Sequence, residues 1–554
     1  ILLYNLMNID INYQKLFVFM CKNGYVDDAK KLYEIKPTID ISADNEEAFG
    51  LSCENGHLDI AKWLYEIKPT IDISAEDEFA FRISCQEGHL DVAKWLYEIK
   101  PAIDINTDGE YAFRWSCQEG HLDVAKWLYK IKHNIDIDID DIFLFSCQNG
   151  HLDVAKWLYE IKPTIDISAD DEEVFRWSCQ YGHLDVVKWL YEIKPIIDIS
   201  SEDEFAFTRS CQKGHLDVAK WLLEIKPTID ISTENEFAFR MSCQEGHLYV
   251  AKWLYKIKPT INISIDYEYA FTDSCENGHL DVAKWLYEIK PTINISIQDE
   301  CAFRWSCYYG HLDVVKWLYE IKPTIDISTN DEYAFKWSCK YGHLDVAKWL
   351  YEIKPTIDIS ADDEEVFRWS CQYGHLDVVK WLYEIKPIID ISSEDEFAFT
   401  RSCQKGHLDV AKWLLEIKPT IDISTENEFA FRMSCQEGHL YVAKWLYKIK
   451  PTINISIDYE YAFTDSCENG HLDVAKWLYE IKPTINISIQ DECAFRWSCY
   501  YGHLDVVKWL YEIKPMTIIS NITNQTNQTI IKWLITINDD ITYKIIDGIY
   551  ILYK

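Results

Sequence analysis

The sequence predicts an all-α repeat solenoid of about 16 helix-turn-helix units joined by short extended or hairpin loops. Periodicity is the first reason. A cysteine recurs at Cys21, Cys53, Cys85, Cys117, Cys147, Cys179, Cys211, Cys243, Cys275, Cys307, Cys339, Cys371, Cys403, Cys435, Cys467 and Cys499, spaced by 32 residues except for one step of 30 between Cys117 and Cys147. Self-similarity at this period marks units that cannot bury their apolar faces alone and stack to do so. The second reason is that every period carries the start and stop signals of two helices.

The stretch Gly150 to Ser168, GHLDVAKWLYEIKPTIDIS, shows the second helix of a unit. Gly150 ends the preceding helix, since glycine tolerates the positive φ of a C-terminal cap. Asp153 sits where the helix dipole favours an anion. Leu152, Val154, Ala155, Leu158 and Ile161 recur at helical spacing and predict one apolar stripe. Lys162 falls at the C-terminus, Pro163 forbids another turn, and Ile165-Asp-Ile167-Ser alternates as a short extended exit. The first helix precedes the cysteine. Ser201 with Glu204, Thr233 with Glu236 and Thr329 with Glu332 fit capping boxes. Phe207, Ser210, Cys211 and Gly214 then share one face, with a small Ser-Cys-Gly edge that allows close approach.

Composition removes several classes. The 554 residues form one array rather than several domains, with a net charge of −36. That charge argues against a nucleic-acid backbone or an anionic membrane as partner. No run of 18 apolar residues exists to cross a membrane. Of 18 cysteines, 16 hold the repeat position, and Cys301 and Cys493 share another. Stacked helices lie roughly 8–10 Å apart, beyond the reach of about 7 Å that a disulfide allows. The cysteines therefore read as small core residues of a reducing, cytoplasmic protein.

The unit resembles the ankyrin repeat. GHLDVAKWLYEIK corresponds to that family's glycine-initiated second helix, and IDIS to its exit into the hairpin loop, over about Cys21 to Pro515. The family's TPLHLAA first helix is replaced by FAFTRSC (Phe205 to Cys211) or YAFKWSC (Tyr333 to Cys339), the hairpin glycine is missing, and the repeat is one residue shorter. Blunter hairpins are expected. The dialect is similar to the multi-copy ankyrin proteins of giant DNA viruses of amoebae, which would imply a viral protein in the host-cell cytoplasm. A tetratricopeptide array has a close period, but its W-x2-L-G-x2-Y signature is absent.

Residues 1–20 read as the remnant of a preceding repeat, with a truncated N-terminus, and residues 21–515 as the array. Residues 516–554 read as an Asn/Thr-rich linker and a divergent cap or tail, in which Ile530 to Leu534 echoes VVKWL. At His133 the helix-stopping proline is lost within the 30-residue step, which marks this junction as the weakest.

Chemistry is sparse. The repeated Cys-x3-His, as at Cys85 and His89, offers two ligands per unit where structural zinc needs four. No catalytic, cofactor-binding or metal-ligating residue is predicted, and no cofactor. The informative positions are those that vary between units. Three residues before the cysteine stand Arg82, Arg114, Thr208 and Lys336; two before it stand Ile83, Trp115, Arg209, Met241, Asp273 and Trp305. A position that accepts Trp, Arg and Asp is not a closed core site. In ankyrin proteins the corresponding helix ends line the binding face. The resemblance therefore implies protein contacts for Trp115, Trp177, Tyr181, Lys213, Trp305, Tyr308, Tyr309, Trp337, Tyr341, Trp369, Tyr373, Trp497, Tyr500 and Tyr501. Alternatively, the tryptophans cover seams between units.

The expected function is a non-enzymatic, monomeric scaffold or adaptor for protein partners, with no nucleic acid and no membrane. The other readings are a spacer without ligand, or an enzyme or degradation adaptor acting through the missing N-terminus or the C-terminal tail. Finally, Gly150 to Pro323 is identical to Gly342 to Pro515, a block displaced by 192 residues, so any binding surface on the first should recur on the second.

Overall fold

The computed structural model describes residues 12–105, 107–131, 139–263, 265–455, 457–487, 489–514, 527–537, 543–546 and 549–552. Within these residues, first helices of 10 to 13 residues alternate with ten-residue second helices from Tyr13–Lys22 to Leu504–Ile513. The chain divides into one unit of residues 1–271 with 288–290 and another of 272–287 with 291–554, and repeats stack within each.

The helices Ile297–Tyr308 and Leu312–Ile321 show how a repeat is built. Ala302, Phe303, Ser306 and Cys307 of the first helix are buried, as are Val314, Val315 and Leu318 of the second. Removing a phenyl ring and a leucine from water contributes about 1.5–3 kcal/mol each. Between the helices, Gly310 has φ +81°, and the His311 amide donates to the Ser306 carbonyl at 2.8 Å, closing the helix with a Schellman-type bond. Added bulk is also excluded here, because a Cβ on Gly310 would overlap the His343 imidazole of the next repeat.

Three contacts join neighbouring repeats. The buried Ser306 hydroxyl lies 2.7 Å from the Ala302 carbonyl in its own helix and 3.0 Å from the Cys275 carbonyl of the preceding repeat. The His57 imidazole reaches back to the Lys22 carbonyl at 3.1 Å. Trp317 of the second helix meets Tyr287 of the previous repeat edge-to-face at 6.0 Å. That tryptophan, in the repeated KWL, is the seam residue of the stack.

All the repeat cysteines are buried and unbridged, while Cys301 and Cys493 are half-buried and equally free. Burial pushes the Cys21 thiol up to about 12 and raises the thiols of Cys53, Cys85 and Cys147 as well, which suppresses the reactive thiolate.

Three sequence expectations need correction. The apolar stripe is narrower than its spacing suggested: Val154, Ala155 and Leu158 are fully buried, but Leu152 and Ile161 are only half-buried, and Trp157 joins the core. The exit behaves as expected, with Ile165 and Ile167 in and Asp166 out, but it is a turn with no strand pairing among the described residues of the array.

The capping boxes are the second correction. The side chains of Ser201 and Thr329 lie outside the described residues, and at Thr233 no cap forms. Instead Glu234, Asn235 and Glu236 wind left-handed, with φ of 47°, 57° and 61°. Non-glycine residues there cost roughly 1–2 kcal/mol each. The turn swings the glutamate away from the helix amides. Its carboxylate instead accepts from the Ser232 hydroxyl at 2.6 Å and the Asn262 amide of the next exit at 3.4 Å. A box motif thus becomes a clamp between repeats.

The third concerns the variable position three residues before the cysteine. Arg304 donates to the carbonyls of Asp299 and Gln298 at 2.6 and 3.1 Å, and Arg176 and Arg368 do the same in their repeats. The left-handed turn leaves these carbonyls without helical donors, and the arginine supplies them. Its role is structural.

At the C-terminal end, helix Gln528–Ile537 buries Ile530, Ile531 and Leu534, with Trp533 edge-on to Tyr511 at 5.8 Å. Asn527 stands where most other repeats have histidine, and its backbone N–H donates to the Cys499 carbonyl at 3.0 Å. Strands Tyr543–Ile546 and Ile549–Leu552 then pair antiparallel. The sequence signal for this pair is Asp547-Gly548 between alternating apolar residues, a hairpin motif the repeat pattern overshadowed. The His133 junction and residues 1–11 lie outside the described residues.

Candidate protein-binding surface

The variable residues sit on the C-terminal ends of the first helices and the turns after them. In the first unit they form a cleft of about 510 Å³ between helices Ala169–Gln180 and Ser201–Gln212. Trp177 is half-buried there; its Nε1 donates to Glu173 at 3.1 Å, and its ring stacks on exposed Tyr181 at 5.9 Å. Phe205 forms the facing wall, its ring 6.4 Å from Trp177. Lys213 is exposed on the rim, 3.6 Å from Glu245. Trp115 packs on Tyr111 of its own helix at 5.6 Å, apart from this cleft.

In the second unit the surface is aromatic and continuous over three repeats. Trp305 lies 5.1 Å from Tyr308 and 6.2 Å from Tyr309, and it meets Trp337 of the next repeat at 5.9 Å. Tyr308 contacts Trp337 at 4.4 Å and Tyr341 at 4.5 Å, and Tyr341 reaches Tyr373 at 5.9 Å. A hydrogen bond donated to Tyr341, followed by partial burial, raises the Tyr308 phenol above its usual range. Lys340 lies over Trp369 at 4.6 Å and Tyr373 at 5.3 Å. Ring contacts of this kind add about 0.5–1.5 kcal/mol beyond burial. At the last repeat, Trp497, Tyr500 and Tyr501 cluster on one another and are all exposed.

The seam reading is thus partly right. Trp305 and Trp337 touch across repeats and stay half-exposed, as do most of the KWL tryptophans, such as Trp317, which meets Tyr287 of the preceding repeat edge-to-face. The site selection from sequence left out Arg209, Phe205, Phe237 and Lys340. Arg209 lies between the rings of Phe205 and Phe237, at 5.2 and 4.9 Å. Its occurrence where other repeats carry tryptophan was the available signal.

The Cys-x3-His pair diverges in space. Cys53 is fully buried, while His57 turns to the Lys22 carbonyl. Burial lowers the pKa of His183, which is bonded to the Gln148 backbone. No helix among the described residues is long and apolar enough to cross a membrane.

The family model for ankyrin repeats (three copies) matches at 142–235, 175–267, 239–331, 271–363, 303–395, 335–427 and 367–458, overlapping windows that together span 142–458. No curated protein matches the chain. That span exceeds half of the 554 residues, and the glycine-hinged helix pairs extend the same architecture on either side of it; the chain belongs to the ankyrin-repeat family.

Proposed function

We propose that this protein is a non-enzymatic scaffold that binds protein partners on the exposed ends of its first helices. The observation that carries the reading is the aromatic surface from Trp305 to Tyr373, which spends large, rigid side chains on half-exposed positions the core does not need. Such residues supply contact area at low entropic cost and dominate protein interfaces. The block duplication supports two related surfaces, one around Trp177 and Tyr181 and one around Trp369 and Tyr373.

Site-specific photo-cross-linking tests this. A photoreactive residue at Tyr181 or Tyr373 should capture a partner in the native cell, while one at Lys188, exposed on a second helix, should not. Equal capture from both faces, or none, would remove the reading.

A further inference from the structure

Among the cations of the first cleft, Arg209 is distinctive. Its guanidinium carbon lies over the rings of both Phe205 and Phe237, and Nη1 donates to Gln212 at 2.6 Å. No carboxylate pairs with it among the described residues. A guanidinium carries five N–H donors, so most of the fork remains to be matched. Arg209 lines the cleft beside Phe205 and Gln212. The acids nearby are already engaged: Glu202 pairs with Arg176, and Glu173 accepts from Trp177. Lys213 adds an exposed ammonium one turn on. In a chain of net charge −36, the unmatched chemistry of this cleft is cationic.

The second copy repeats the arrangement. Arg401 lies 5.2 Å from Phe397 and 4.9 Å from Phe429 and bonds Gln404 at 2.6 Å, and Lys405 stands 3.6 Å from Glu437. It also has what the first lacks. The helix before it, Thr329–Lys340, places Lys340 over Trp369 and Tyr373, without a carboxylate partner among the described residues. The helix before the first copy, Ile139–Gln148, ends in Gln148 and Asn149 instead.

We infer that Arg209 and Arg401 each receive a carboxylate of an acidic protein segment, and that the second copy binds the tighter because Lys340 adds a cation. This rests on the scaffold reading and names its partner's chemistry. Bidentate carboxylate recognition is what a stacked guanidinium is shaped for.

The test uses the full chain and a dye-labelled oligo-glutamate peptide followed by anisotropy, with oligo-lysine and inorganic phosphate as control arms. Two saturable sites of unequal affinity are expected for oligo-glutamate. Arg209→Lys and Arg401→Lys keep the charge and lose the fork; each should weaken one site by roughly tenfold. Lys340→Ala should bring the tighter site down to the weaker. Thermal melts matching the parent would show that these surface variants remain folded. No saturable binding, binding unmoved by the Arg→Lys changes, or equal binding of oligo-lysine or phosphate would overturn the inference. If oligo-glutamate fails while cross-linking from Tyr181 and Tyr373 still captures a partner, the scaffold reading stands without this partner chemistry.

Discussion

Residues 150–323 and 342–515 are the same sequence twice, yet their ends differ in environment. Tyr308 of the first copy is half-buried against Trp337 and Tyr341, while its counterpart Tyr500 is 47% exposed. The neighbour makes the difference. After the first copy comes helix Thr329–Lys340 with its aromatic end; after the second, the described chain resumes at Asn527 with a helix of the second type. That same Thr329–Lys340 helix also lends Lys340 to the start of the second copy. In a stack, a repeat supplies half of its own environment and borrows the rest.

The comparison breaks first in the core if it breaks anywhere. Phe303 and Phe495 are both essentially buried, so truncation to alanine should cost about 3–5 kcal/mol at either position. Urea unfolding of the two single variants would show it. A difference above about 2 kcal/mol would mean that the neighbour controls the core as well as the surface.

Next come the hinge glycines. Gly310 has φ +81° and Gly502 has φ +90°, so alanine is strained at both. At Gly310 the new methyl also meets the His343 ring, whereas at Gly502 it meets the Asn527 amide, 2.8 Å away on the terminal helix. Gly310→Ala should cost roughly 2–4 kcal/mol and Gly502→Ala about half that, because a terminal helix yields more readily. Equal losses in denaturant midpoint would contradict this.

Acid should act on both copies. Burial, the leading cause, lowers the pKa of His183, His215, His311, His375, His407 and His439 below the ordinary 6.5. The unfolded chain therefore takes up protons at these sites before the folded one does. Stability is flat well above pH 6.5 and falls as the pH drops through that value. Urea midpoints at about pH 7.5 and about pH 5.5 should differ in that direction, and His311→Gln should flatten the acid limb. A parent midpoint that rises on acidification would refute the assignment.

The smallest expected effect is the most local. Tyr500 should be nitrated faster than Tyr308, roughly threefold, as its greater exposure implies. Cyanogen bromide cleavage at Met241, Met433 and Met516 separates the otherwise identical segments for mass analysis. Trp337→Ala should narrow the ratio by uncovering Tyr308. An unchanged ratio would mean that the covering ring does not shield it.

Much of the fold was legible in the chain. The glycine, the proline, the Val-Ala and Leu spacing and the recurring cysteine define two helices and their buried sides, because these depend on local backbone preference and period. The capping boxes misled, since Ser and Glu three apart also suit a left-handed turn whose carboxylate serves the next repeat. Trp177 and Tyr181 were recognisable as surface residues from their variability. Arg209 varied in the same way, but its role was not legible, because it depends on Phe237 in the next first helix, 28 positions away in the sequence.

By itself, then, the sequence determined the repeat, its helices and the centre of each buried stripe; these follow from periodicity and from residues whose conformational limits are intrinsic. The tertiary structure alone decided which aromatic rings stay open, which arginines brace a turn and which offer a free edge. Those properties belong to pairs of repeats, and identical residues acquire different surroundings when the repeat stacked against them differs.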